Sequence, residues 1–552
     1  MTPKCYSSRL IKKGPALFPW SLFIAWAVVV SLTALYHEFW RDEVRALSFA
    51  MHSSSPSDLF KSMENEGHPM LWYLLLYGGY RATGSTWVLP VLSLLVAGAA
   101  VYLFIFFSPF PRWMKTLFVF SGLPIYEYSV MARNYGISML LLFAFAALYP
   151  SRKTHPFAVG LILAFLCNTN IHSLILVCLL MGLWSWDTFV AEKNTLLGTE
   201  ACKFYMATAV VVAGGAGALY AVWPTENMIA SDTTRYTAAH IGNAFMTAIV
   251  APATQFNELF PSSVPIKLRI LVFLGTIFGL IVRPPVFFIA YAALLVLSVL
   301  FSIIYSSWYR HQGLLVVFLI SLYWIVIDRE GGALRYKRFH KIFQAGLYGG
   351  LAGLLAFIVA SGATNVYRDW RYQKSASKAF AQDFLNTHQE YKDAILIGEP
   401  DFIIEAVRYY ADNRMYIVRE KRFGDTVRFV RNVQLNLSMG ELLCTSWQIA
   451  KEEDKPVLIV LGHRYLGVGP FDSGTLPKSV SYIYQRTFTW STEELDDWRR
   501  HTRFLRQFDH NVIGDEAYTI YSLIPTEVQT PPRCQSGRTR RNHERNYDII
   551  IE

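Results

Sequence analysis

The sequence predicts a polytopic α-helical membrane protein with a C-terminal α/β domain, and three observations predict it. The chain has 552 residues, 53% hydrophobic and only 17% charged, whereas ordinary soluble domains carry about 25% charged residues. Apolar runs close to the ~20 residues that a helix needs to cross a bilayer recur from Ala16 and stop near Gly362. Beyond that point Arg, Asp, Glu and Lys become frequent, and strand-like and helix-like segments alternate, the pattern of an α/β layer fold.

The first span covers Ala16 to Tyr36. It follows Lys4, Arg9, Lys12 and Lys13 and is long, so it reads as a retained helix and not as a cleaved signal. The region 37–85 is too polar to cross as a whole, but its short aromatic piece, His68 to Tyr80, reads as a helix lying at the interface. Further spans are expected near 86–107, 116–132, 136–150, 156–171, 173–190, 204–222, 268–282, 284–305, 312–327 and 342–362. That makes about eleven transmembrane helices.

With the N-terminus in the cytoplasm, the connections on that side collect Arg112, Lys115, Arg152, Lys153, Lys193, Lys203, Arg283, Arg329, Arg335, Lys337, Arg338 and Lys341 besides the N-terminal cluster. The longer loops opposite hold about half as many. This bias accounts for the net charge of +10 without nucleic acid as a partner. An odd number of spans then puts the C-terminal domain outside.

Residues 1–367 form the membrane domain and 368–530 the outer α/β domain. In the latter, 394–398, 415–418 and 456–462 read as strands, 401–410 and 437–451 as helices, and 517–523 as a closing strand. The Arg-rich tail 531–552 reads as disordered. Of the cysteines, Cys167, Cys178 and Cys202 fall in or near spans as small apolar fillers. Cys444 and Cys534 are free to pair outside, although spacing does not establish it.

The same alternation gathers the unusual polar residues on the outer side. Asp42 and Glu43 follow the first span. Glu64, Glu66 and His68 follow in the next loop. Glu127, Arg133 and Tyr135 flank the end of the third span, Asn168, Asn170 and His172 that of the fifth, and Arg310 and His311 that of the ninth. Loop 223–267 adds Glu226, Asp232, Arg235, His240 and Glu258. Singly, each has a bland explanation: Arg133 can snorkel and His172 can cap a helix. Their convergence on one leaflet points to an active site at the outer surface.

Four of these segments carry a family resemblance: Asp42-Glu43 after the first span, His68-Pro69-Met70-Leu71-Trp72-Tyr73, Ala132-Arg133-Asn134-Tyr135, and Asn168-Thr169-Asn170-Ile171-His172-Ser173. In their order and common side the chain resembles the GT-C class of membrane glycosyltransferases, of the protein O-mannosyltransferase and aminoarabinose (lipid A) transferase type. The resemblance covers roughly residues 16–190. It departs from the family at Met70, where a second Pro is usual. It also lacks a second outer Asp motif, for which Glu127 is the nearest substitute, and a β-trefoil insert, which argues for a bacterial-type member.

The resemblance implies transfer of a sugar, with inversion, from a polyprenyl-phosphate donor at the outer face of a bacterial inner membrane. The acceptor would be a glycolipid, a glycan or a protein, and membrane lipids are the surroundings. In this frame Asp42 is the candidate base that takes the acceptor's proton, and Glu43 is a second choice or orients the acceptor. Arg133 and Arg310 are the candidates for holding the phosphate through their planar forks. His311, Arg235, His68, Tyr135, Glu127 and His172 are further substrate-binding candidates. His37, Asp42, Glu43 and His52 have no compact metal-ligand spacing, so neither metal nor other cofactor is assigned.

Two other functions compete. A transporter or flippase for lipid-linked glycans also needs polar residues in the membrane, but near its midplane and on internal repeats, and the sequence shows no repeat. A membrane-anchored scaffold leaves the acidic pair and Arg133 without a role.

Overall fold

The computed structural model describes residues 17–229, 237–304, 307–330, 337–467, 469–472, 474–524 and 532–533. The chain divides into two compact units, one running to Lys378 and the other formed mainly by the residues from Ala379 onward.

The first unit is helical. α1 (Leu17–Tyr36) is apolar throughout. α2 (Arg41–His52) begins after Trp40, and Glu43 reaches back to the Trp40 N–H at 3.4 Å, with acidic residues placed where a helix start favours them. Ser55 caps α3 (Pro56–Ser62) by accepting the Asp58 N–H at 3.1 Å. α4 (Leu71–Thr83), the expected interfacial helix, stops at Gly84, whose φ of 63° is left-handed. α5 (Val88–Phe107) is the next long apolar helix.

α6 (Arg112–Val119) is short and is followed by a π-turn, Leu123–Glu127, and irregular chain up to α7 (Tyr135–Leu148). The span expected near 116–132 is therefore broken. Pro124 sits inside the break and cannot donate a helical hydrogen bond. Then come α8 (Pro156–Cys167), α9 (Ile171–Ser185), α10 (Thr199–Val222), α11 (Ala238–Val250), α12 (Ile266–Phe278), α13 (Pro284–Ile303), α14 (Tyr309–Glu330), α15 (Lys337–Gln344) and α16 (Ala352–Arg371). α11 lies within the segment expected to be loop, and α16 continues past Gly362.

Among the described residues, seven helical segments are long and apolar enough to cross a membrane: Leu17–Tyr36, Val88–Phe107, Ile171–Ala191, Thr199–Val222, Pro284–Ile303, Tyr309–Asp328 and His340–Arg371. Shorter apolar helices, Tyr135–Ser151, Pro156–Cys167 and Ala238–Val250, accompany them. The span in α14 is 89% buried, so other helices enclose it, and Arg310 lies in its first turn. α16 comes close to the broken segment because both carry glycine there. A Cβ on Gly362 would sit 2.5 Å from the Gly122 Cα. That approach brings Asp369 to Tyr126.

A buried ion cluster ties the opposite helix ends. Asp187 accepts from Tyr149 Oη at 2.7 Å and from Arg283 Nη2 at 2.6 Å, while Arg152 Nη2 donates to Glu192 at 2.8 Å. These basic residues lie in the connections that the charge bias places in the cytoplasm.

The second unit is an α/β layer, as expected. β1 (Ile395–Glu399), β2 (Tyr416–Ile417), β3 (Arg422–Phe423), β4 (Asn436–Ser438), β5 (Val457–Leu461), β6 (Lys478–Ser481), β7 (Thr487–Trp490), β8 (Thr502–Phe508) and β9 (Tyr518–Leu523) form three sheets. The largest has the order β1-β5-β9-β8, with β1 and β5 parallel and the other pairs antiparallel. Helix Met439–Glu453 connects β4 to β5 and starts with a Ser438/Glu441 capping box. Arg419 is buried and joins elements of this unit. It donates to Glu399 at 2.6 Å, to the Leu435 carbonyl at 2.5 Å and to the Thr487 carbonyl at 2.9 Å. Cys444 is disulfide-bonded, and Cys534 and nearly all of the tail lie outside the described residues.

Candidate active site

The site forms where the first turn of α2, the irregular chain before α7 and the start of α14 meet. Asp42 occupies the second position of α2 and keeps 31% of its side chain exposed. Arg133 Nη1 donates to its Oδ2 at 2.5 Å, Arg310 Nη2 lies 3.6 Å from the same oxygen, and Arg41 Nε lies 3.9 Å from Oδ1. The setting withdraws the carboxyl from water, which would raise its pKa. Arg133, Arg41 and Arg310 outweigh that and hold it well below the ordinary carboxylate range.

Glu43, one residue further, points the other way. Successive helical side chains are about 100° apart, and Glu43 is fully buried. It accepts from the Ala132 N–H at 2.7 Å and contacts His37 Nε2 at 3.1 Å. Its carboxylate is thus enclosed by protein, whereas that of Asp42 is partly exposed.

Arg310 holds its guanidinium 5.8 Å from the centre of the Trp40 ring, and its backbone carbonyl accepts from Tyr128 Oη at 2.7 Å. Its buried Nε has no partner among the described residues. The Lys374 ammonium stands 5.3 Å from the same ring and makes no ion pair within 4 Å among them. Glu127, partly exposed, lies near enough to feel both Arg310 and Lys374. Among the described residues Arg41, Arg133, Arg310 and Lys374 stand here with the carboxylates of Asp42 and Glu127, a positive balance that suits an anion.

Three histidines edge the site. His172 and His311 stack at 5.3 Å, and the Tyr135 ring meets His311 at 5.6 Å. The Trp308 N–H donates to His311 Nδ1 at 2.9 Å, which puts that ring's proton on Nε2. His68 Nδ1 donates to the Glu66 carbonyl at 2.9 Å, which leaves Nε2 as an acceptor. Burial and the nearby Arg133 lower the His68 pKa, so it is neutral. The loop before it is pinned by Arg45, which donates to Glu66 at 2.9 Å.

The site thus brings together Asp42, Arg133, Arg310, His311, His68, Tyr135, Glu127 and His172. Thr169 and Asn170 instead serve the bundle: Ser138 donates to Thr169 at 2.8 Å, and Asn170 donates to Ser138 at 2.9 Å. His240 bonds the Ser302 carbonyl. Arg235 lies outside the described residues. Residues that sequence reasoning missed are Lys374 and Asp369; Arg41 stands beside Asp42, and His37 lies between Asp369 and Glu43. Asp369 left one usable signal, as a carboxylate close behind a hydrophobic span. Among the described residues no group of three His, Cys, Asp or Glu is placed to hold a metal ion.

No protein-family model and no curated protein matches the chain. Among solved structures it is similar to the apo crystal structure of ArnT from Cupriavidus metallidurans, at 12% sequence identity and a TM-score of 0.43, with 91% of this chain and 97% of that chain covered.

Proposed function

We propose that this protein is a membrane glycosyltransferase of the GT-C type, moving a sugar from a polyprenyl-phosphate donor to an acceptor hydroxyl at the outer membrane face. The observation that carries the reading is Asp42, a partly exposed carboxylate held by Arg133, Arg310 and Arg41, with the Lys374 ammonium over the neighbouring Trp40 ring.

The chemistry follows from competition for those cations. In the resting protein they suppress the basicity of Asp42. A lipid phosphate entering the site draws Arg133 and Arg310 toward its own oxygens, and the pKa of Asp42 rises as it loses partners. The acceptor oxygen then attacks the anomeric carbon and its proton passes to Asp42. The bond from that carbon to the phosphate oxygen breaks, its electron pair stays on the phosphate, and the arginines stabilise the charge. One displacement inverts the anomeric centre.

The positive-inside bias supports an outer location for the C-terminal domain and for Asp42. The disulfide at Cys444 fits an oxidising compartment. The test is mass spectrometry of glycolipids and glycans from a deletion strain carrying wild-type or Asp42→Asn protein. A sugar absent from the deletion strain, restored by wild type and not by the variant, is expected. Full restoration by Asp42→Asn removes Asp42 from the mechanism. Accumulation of a complete lipid-linked glycan on the inner leaflet would favour a flippase.

A further inference from the structure

The chemistry above leaves His37 unused. It directly follows α1, and its side chain is fully buried. Nδ1 lies 2.6 Å from Asp369 Oδ2, and Nε2 lies 3.1 Å from Glu43 Oε2. A neutral imidazole has one N–H, so a carboxylate at each nitrogen requires the imidazolium. Burial alone would lower its pKa, but Asp369 and Glu43 together raise it to about 10. Each carboxylate has another tether. Tyr126 Oη donates to Asp369 Oδ1 at 2.9 Å, and the Ala132 N–H donates to Glu43 Oε1 at 2.7 Å.

One cation therefore joins the end of α1, the first turn of α2, the chain from 126 to 132 and the end of α16. Asp42 is the neighbour of Glu43, and Arg133 is the neighbour of Ala132. The bond between Glu43 and Ala132 sets, one residue away on each side, where Asp42 meets Arg133.

We propose that His37, Glu43 and Asp369 form a positioning clamp that holds Asp42 and Arg133 in register for sugar transfer while touching neither substrate. This rests on the roles given above to Asp42 and Arg133. Binding the phosphate needs only the cations, which the clamp does not supply. Transfer needs base and cations in register, which it does.

The experiment compares wild type, His37→Gln, Asp369→Asn and the double variant as full-length proteins. Three quantities are read: folded protein in the membrane, affinity of purified protein for undecaprenyl phosphate, and glycosylated product in a complemented deletion strain. His37→Gln should lower product about 10- to 100-fold while affinity for the lipid phosphate changes less than about threefold. The double variant should lose no more than the worse single variant, because the residues act as one unit. Wild-type transfer in isolated membranes should fall as pH rises through about 10, as the ring facing Asp369, Glu43 and Tyr126 loses its proton.

Wild-type product from His37→Gln overturns the clamp. So does a proportional fall of product, affinity and folded protein, which marks a role in folding only. Should His37→Gln not accumulate, the wild-type pH profile decides, and a rate flat to pH 10.5 overturns it. Failure of wild type to bind undecaprenyl phosphate strikes at the reading of the arginines instead.

Discussion

Asp42→Asn should act in opposite directions on binding and on transfer. The lipid phosphate and the Asp42 carboxylate compete for Arg133 and Arg310, whose nitrogens lie 2.5 and 3.6 Å from Oδ2. A unit charge pair at 4 Å is worth about 4 kcal/mol at an effective dielectric constant near 20. Asp42 keeps 31% of its side chain exposed, and solvent screening cuts the competition to about 1–3 kcal/mol. Asn keeps the shape and removes the charge. Affinity for undecaprenyl phosphate should therefore rise roughly 5- to 150-fold, while transfer should fall by roughly two to four orders of magnitude as the base is lost. Binding can be read by native mass spectrometry of purified protein, and transfer by product in a complemented deletion strain. If Asp42→Asn binds the lipid phosphate no tighter than wild type, or transfers sugar at the wild-type rate, the competition argument is wrong.

Arg133→Lys with Arg310→Lys keeps both charges but loses the forks, so phosphate affinity or transfer should drop at least about tenfold; wild-type behaviour in both assays would reduce these arginines to snorkelling residues. His37 contributes a pH-dependent stability. Its pKa rises on folding from 6.5 to about 10, so the contribution, on the order of a few kcal/mol, is fully present below about pH 6.5 and is lost as pH rises through 10. Thermal melts from pH 6 to 10.5 should show this loss in wild type and not in His37→Gln. Arg283→Met removes the nearer cation of the buried Asp187 and leaves Arg152 at 3.7 Å and Tyr149, so it should cost somewhat less than the ~3–5 kcal/mol of a fully broken buried pair, seen as a lower melting temperature with unchanged phosphate affinity. With Cys167, Cys178 and Cys202 replaced, Gly474→Cys should react with a membrane-impermeant thiol reagent in right-side-out cells and Lys193→Cys should not. The reverse pattern would put Asp42 in the cytoplasm.

By itself the sequence determined what depends on local composition. Hydrophobic runs betray membrane helices because bilayer thickness sets their length. Within the buried strands, Ile395–Gly398 and Val457–Leu461 stand out as unbroken apolar segments. The thin exposed strands β6 and β8, with few buried positions, carry too weak a pattern to notice, and they are absent from the sequence reading. Charge bias was enough to gather Asp42, Arg133 and Arg310 at one set of helix ends.

Tertiary structure decided the rest. Whether Asp42 or Glu43 stays partly exposed depends on the rotation of α2, which is set by its packing, and neighbouring carboxylates are indistinguishable in a linear pattern. His37 finds Asp369 across 332 positions, through a helix approach permitted by Gly122 and Gly362. Lys374 joins the Trp40 ring from beyond the last span. A membrane helix records in its sequence that it crosses the bilayer, because an apolar surrounding, lipid or neighbouring helix, meets it along its length. It does not record which partner it meets at its end, because that contact is made by a few residues whose spacing in the chain has no period.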